Sequence, residues 1–227
     1  MVIPVHDEDG IARPGFRAWA VWSLVALNVI VYVLLAVLSA LAVFVIGYNF
    51  GVVPAVLLGT PEGSALGLTI WPAVSLLTYT FLHASWLHLT ANMIVLWVLG
   101  DDIEAATGHL RFLIFYFLCG AVGAIAQALS DAQSLAPVIG ASGSVAGVVG
   151  AYLLLRPHAR MTVLVLGLLT VQLRAFWVIA LWAAWQAFSI WWPISDVRTA
   201  YWTHAGGFVA GLSLILVMRR RDVPLFA

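Results

Sequence analysis

Long apolar runs, most of them closed by an arginine or a polar turn, constrain this chain more than any other feature. A hydrocarbon core of about 30 Å is crossed by about twenty residues of helix. Six runs read as spans: Ala18 to about Ile46, Ser85 to Leu99, Phe112 to Leu129, Ser142 to Leu155, Ala175 to Trp192 and Tyr201 to Met218. With 63% hydrophobic and 9% charged residues, a soluble domain is excluded. The fold expected is an all-α membrane protein, a compact six-helix bundle over residues 18–221, with short polar tails at 1–17 and 222–227. Asp7, Glu8, Asp9, Arg13 and Arg17 mark the first tail, which lacks the layout of a signal peptide. The connection over about 47–79 contains Pro54, Pro61 and Pro72, with Glu62 its one clear charge. So long a segment is expected to carry structure of its own.

Orientation follows from the arginines. With six spans, one side collects Arg13, Arg17, Arg111, Arg156, Arg160, Arg174, Arg219, Arg220 and Arg221, and the other only Arg198. This bias places both termini in the cytoplasm, so the second, fourth and sixth spans run from outside to inside. The net charge is zero, so nucleic acid is not expected as a partner. The single cysteine, Cys119, excludes an internal disulfide and reads as a buried filler. Asp101, Asp102, Glu104, His109 and Arg111 form a polar hinge; Asp101, Asp102 and Glu104 are expected to be a solvated turn, with Glu104 able to tie the hinge to a neighbouring segment. Ser85 is expected to cap the second span.

Depth singles out three residues. Counting back from the inner end of each inward-running span, Ser142 lies fourteen residues before Arg156, His204 fifteen before Arg219 and His88 thirteen before Asp101. At 1.5 Å per residue all three lie roughly 20 Å above the inner face, hence about 10 Å below the outer interface. Ser142 opens the run Ser142-Gly143-Ser144-Val145-Ala146-Gly147, whose glycines alone would read as a small-residue packing face. On the sixth span Gly207 and Gly211 lie within about 60° of His204. If the small faces meet, packing and catalysis become one geometry: a serine nucleophile, a neutral imidazole as its base, and free N–H groups at a helix start to hold an oxyanion. Neither span carries an acidic residue, so a Ser–His dyad is expected. His88 and Asn92, four apart on one face, read as oxyanion donors beside the Ser142 N–H. The competing reading makes His83 and His88 interfacial residues and Asn92 a helix–helix hydrogen bond. His83 and His88 lie five apart with no carboxylate or cysteine at ligand spacing, so neither a metal nor a cofactor is expected.

At these residues the chain resembles the rhomboid family of intramembrane serine proteases. Three motifs carry the resemblance: His83-x4-His88-x3-Asn92, Gly140-Ala141-Ser142-Gly143 and His204-Ala205-Gly206-Gly207-x3-Gly211. It covers about Leu76 to Val217. It implies a rhomboid-type six-helix bundle with Ser142 as nucleophile and His204 as general base. His88 and Asn92 would line the oxyanion hole, with His83 supporting them and Gly140 counted among the oxyanion and binding residues. It also implies cleavage of transmembrane protein substrates near the outer face, a water-filled cavity, and a gating fifth span that draws attention to Trp191 and Trp192. The location expected is integral and multi-pass, in a bacterial inner (plasma) membrane. Two departures stand out. Many relatives carry an aromatic four residues after the nucleophile, where this chain has Ala146, so another group must position His204. Some carry a Trp-Arg pair in the first outer loop, which here has no arginine. A catalytically silent client-binding relative and a transporter are the competing functions.

Overall fold

The computed structural model describes residues 2–7, 11, 15–68, 70–165, 169–192 and 200–227. Asp7 lies in its first strand, whereas the expectations on Glu8, Asp9, Arg13 and Arg198 fall outside the described residues.

Strand β1 (Val2–Asp7) precedes helix α1 (Trp19–Ala36) and helix α2 (Ala40–Phe50). The apolar run from Ala18 to Ile46 is therefore two helices and not one span. The break is made at Ser39, whose hydroxyl accepts from the Ala42 N–H (3.3 Å) and starts α2 afresh. Three short helices follow, α3 (Pro54–Leu57), α4 (Pro61–Ser64) and α5 (Pro72–Thr78), each with its proline in the first turn. There the missing N–H costs nothing and the fixed φ favours helix. The 47–79 connection thus carries structure of its own. A 3-10 turn, Tyr79–Phe81, leads to α6 (Trp86–Thr107), capped by the Ser85 hydroxyl as expected. Helix α7 is His109–Ser130 and α8 is Ser142–Leu155. Strands β2 (Arg160–Val165) and β3 (Leu169–Arg174) lead into α9 (Ala175–Trp191), and α10 is Tyr201–Met218. Both α8 and α10 end where the arginines at 156 and 219 were expected to end them.

The chain is mostly helical. Helices α1, α7 and α10 are each long and apolar enough to cross a membrane, and the pair α5–α6, bent by 86° at its break, makes a fourth candidate. Helices α2, α8 and α9 are apolar but shorter. The expectation of an all-α chain is corrected by the antiparallel sheet β1-β2-β3, in which Arg160 pairs with Arg174 and Val163 with Val171. Its physical basis is period-two burial: Met161 and Val163 enter the core while Thr162 and Leu164 between them stay half exposed.

The polar hinge is also corrected. Asp101, Asp102 and Glu104 continue α6, and Asp102 and Glu104 are buried. Glu104 accepts from the N–H groups of Ala20 (2.9 Å) and Val21 (2.8 Å), and pairs with His109 Nδ1. A carboxylate there satisfies two of the open donors at the start of α1 and complements its dipole, so Glu104 ties the hinge to its neighbour. Asp102 accepts from the Ile11 N–H.

Helices α6, α8 and α10 run in one direction. Contacts between α8 and α10 advance together, Gly143 with Gly207, Gly147 with Gly211. At the far end the Arg220 N–H donates to the Ala106 carbonyl (2.8 Å), and the Phe226 and Ala227 N–H groups donate to Leu154 and Leu155. The residues after α10 therefore close over the ends of α6 and α8.

Candidate active site and family

The approach to Ser142 is made by the loop before α8. Gly140 has φ +121°, a conformation that other residues adopt only under strain, and its N–H donates to the Tyr79 carbonyl (2.9 Å). A Cβ there would lie 2.6 Å from Cε1 of His88 and 2.7 Å from its Nε2. The backbone of Gly140 and the imidazole of His88 are thus in direct contact. The next residue, Ala141, donates its N–H to Nε2 of His83 (3.5 Å). The two imidazoles meet edge to face at 5.0 Å. His83 sits in the break between α5 and α6, where non-helical backbone is tolerated because it is buried in protein.

Ser142 is the first residue of α8. Its N-cap position is Ala141, which offers no side-chain acceptor, so the N–H groups of the first turn have no capping side chain. Asn92 is buried and its Nδ2 donates to the His88 carbonyl within α6 (2.9 Å). The amide keeps a second proton that this bond does not use.

His204 reaches this region through the α8–α10 seam. A Cβ on Gly207 would overlap the Gly143 carbonyl oxygen, and one on Gly211 the Gly147 carbonyl. A Cβ on Gly143 would lie 2.7 Å from Thr203 Cγ2, and one on Gly150 2.5 Å from the Phe208 carbonyl. Only glycine permits backbones this close. The turn of α10 bearing Thr203 and His204 therefore lies on the first turn of α8. Ala146 is itself buried.

His88 comes to the site by a different route from the depth count. Helix α6 continues to Thr107, so its end lies six residues beyond Asp101, about 9 Å further on. The ring against Gly140 fixes the level of His88, not its distance from the helix end.

Two features of the site escaped the sequence reading. Gln186 of α9 bonds through Oε1 to Nδ1 of His204 at 2.8 Å. Trp182, one turn earlier on α9, lies 6.3 Å from the His204 ring, and Tyr201 meets that ring edge-on at 6.4 Å. These rings flank His204, to which position 146 offers no aromatic. The signal in the sequence was the lone amide of a 17-residue apolar helix. Such groups at membrane depth find partners.

A family model for the rhomboid domain matches residues 69–221, two-thirds of the chain and all of the segment just described. The chain belongs to the rhomboid family. The match starts ahead of α5 and takes in the motifs at 83–92, 140–143 and 204–211. Among curated rhomboids, the rhomboid protease GluP of Bacillus subtilis is 38% identical over 95 residues, covering 42% of this chain and 18% of that protein. RHOMBOID-like protein 5 of Arabidopsis thaliana is 37% identical over 78 residues, 34% of this chain and 25% of its own length. Rhomboid-like protease 3 of Toxoplasma gondii is 31% identical over 131 residues, 57% of this chain and 45% of its own. The chain spans less than half the length of each of these relatives. Rhomboid relatives include proteases and catalytically inactive members, in mitochondria among other places. This rhomboid is an integral membrane protein.

Proposed function

We propose that this rhomboid is an intramembrane serine endopeptidase that cleaves transmembrane proteins near the outer face of the bilayer. The observation that carries the reading is the glycine-on-carbonyl seam of α8 and α10, which sets the turn bearing His204 against the turn that begins with Ser142.

In this mechanism the Ser142 Oγ attacks the scissile carbonyl carbon while its proton passes to Nε2 of His204. The carbonyl oxygen becomes an oxyanion, held by the Ser142 N–H, the imidazole of His88 and the unused proton of Asn92 Nδ2. The edge-on contact of His83 and its bond from Ala141 keep His88 and the loop in register. Collapse of the intermediate expels the amine, which takes the proton from His204, and leaves an ester on Ser142. Water then attacks the ester; His204 accepts its proton and returns one to the serine as the acid product leaves.

A scissile amide inside a membrane helix is hidden by its own hydrogen bonds, so substrates are expected to carry small or helix-breaking residues at the cleavage site. The arginine bias supports cytoplasmic termini and six spans, with α8 and α9 making two of the shorter crossings. The bacterial inner membrane is the proposed compartment.

The test is incubation of purified protein in proteoliposomes with a panel of single-span substrates, beside Ser142→Ala and His204→Ala. Cleavage by wild type and by neither variant is the expected result. Absence of fluorophosphonate labelling at Ser142 in folded wild-type protein would instead identify a silent client-binding member.

A further inference from the structure

We propose that Gln186 is a positioning residue for the catalytic base: its amide oxygen holds His204 in the tautomer that leaves Nε2 free to accept the serine proton. The inference rests on the protease reading above and deepens it.

The argument begins with the helix that bears the amide. Helix α9 reads Ala-Phe-Trp-Val-Ile-Ala-Leu-Trp-Ala-Ala-Trp-Gln-Ala-Phe-Ser-Ile-Trp, and Gln186 and Ser189 are its only polar residues. An unpartnered amide among lipid tails is costly, so its placement asks for a partner. That partner is Nδ1 of His204, at 2.8 Å. Trp182 is one turn before Gln186 and Ser189 is three residues after it, so the three share a face of the helix. Trp182 confirms which way that face turns, since its ring meets both His204 (6.3 Å) and Phe208 (5.9 Å) on α10.

A neutral imidazole carries one proton, and the bond made by one nitrogen decides the state of the other. An amide oxygen only accepts, so Nδ1 must be the protonated nitrogen and Nε2 the bare one. This is the task a buried carboxylate performs in a Ser-His-Asp triad, where the wrong tautomer is severely damaging. Gln186 performs it without a charge. A negative charge on α9 would have to be desolvated in the bilayer, whereas a neutral amide avoids that penalty. The cost is a weaker hold on the imidazolium that forms in the transition state. Gln186 bonds to the His204 nitrogen that faces away from the proton transfer, so its effect is transmitted through that ring.

The experiment uses full-length protein reconstituted in nanodiscs, with Gln186→Met as the near-isosteric loss of the acceptor and Gln186→Glu as the variant that keeps it. Cleavage kinetics are read together with the 15N signals of the His204 ring, which distinguish an Nδ1–H from an Nε2–H imidazole. Gln186→Met is expected to lower kcat by about 10- to 100-fold, the range for a lost buried hydrogen bond, with KM within about twofold. Its His204 signals should shift toward the Nε2–H form. Gln186→Glu keeps an acceptor toward Nδ1, so it should keep the Nδ1–H signature and lose clearly less kcat than Gln186→Met, with carboxylate desolvation limiting the recovery. Wild-type kcat in folded Gln186→Met, an unchanged tautomer, or equal damage from both variants would overturn the proposal while leaving the protease reading intact. A wild-type protein inert to substrate and to fluorophosphonate would remove the protease reading, and this inference with it.

Discussion

The α8–α10 seam and the α9–α10 contact bring groups to the same imidazole by opposite means. In the seam the side chains are small and backbone meets backbone: Gly207 faces the Gly143 carbonyl and Gly211 the Gly147 carbonyl. Helix α9 is built from large aromatic residues and buries only Ala175, Ile179 and Ser189. It touches the site through long side chains, Trp182 and Gln186. The seam leaves no slack, because a carbonyl cannot rotate away from an added methyl. A contact through rotatable side chains tolerates small shifts of its helix. The geometry of attack is therefore entrusted to the rigid pair, and the fine setting of the base to the softer one.

The sharpest way to break this comparison is Gly207→Val. The branched side chain has no room against Gly143, so cleavage should fall by at least about a hundredfold, as expected for a misplaced reacting group. Thermal unfolding in detergent should show a loss of about 2 kcal/mol from overpacking. Near wild-type cleavage by this variant would show that the seam does not set the site.

Gly140→Ala tests the mouth of the same seam. Strain at φ +121° and the clash with His88 should together lower cleavage by about tenfold, equivalent to about 1.4 kcal/mol. Adding His88→Ala should relieve the clash and leave the strain, so the double variant should lose less than the product of the two single losses. Simple multiplication of the two losses would argue that they act separately.

On α9 the effects should be smaller and should depend on the face. Trp182→Ala removes a ring beside His204, and a lost aromatic contact corresponds to a fall in kcat of about three- to tenfold. Trp191, 84% exposed in the structure, should tolerate alanine with cleavage within about twofold of wild type. Equal effects at the two tryptophans would erase the distinction between an inner and an outer face of this helix.

Much of the scaffold could be read from residues near one another in the chain. Ser85 announced the start of α6, the arginines at 156 and 219 marked the ends of α8 and α10, and the glycine spacing on both helices predicted their seam. The errors have local causes too. Ser39 restarted a helix inside an apolar run, so Ala18 to Ile46 became α1 and α2. Asp102 and Glu104 were expected in a solvated turn, with Glu104 able to reach a neighbouring segment. His109 is near Glu104 in the chain, but the backbone N–H groups that meet these carboxylates belong to Ile11, Ala20 and Val21, more than eighty residues away. Gln186 went unread for the same reason: an amide in an apolar helix calls for a partner but does not name it.

The amino-acid order alone determined the membrane class, the bounds of α8 and α10, the small faces that let them meet, and the family that the motifs at 83–92, 140–143 and 204–211 identify. These depend on helical period, hydropathy and the absence of a Cβ, all local properties of the chain. Tertiary structure decided that His88 packs on Gly140, that Glu104 holds the start of α1, and that His204 is met by Trp182 and Gln186. Each of those contacts joins segments whose relative placement is set by how whole helices pack, and no local preference of either segment contains that information.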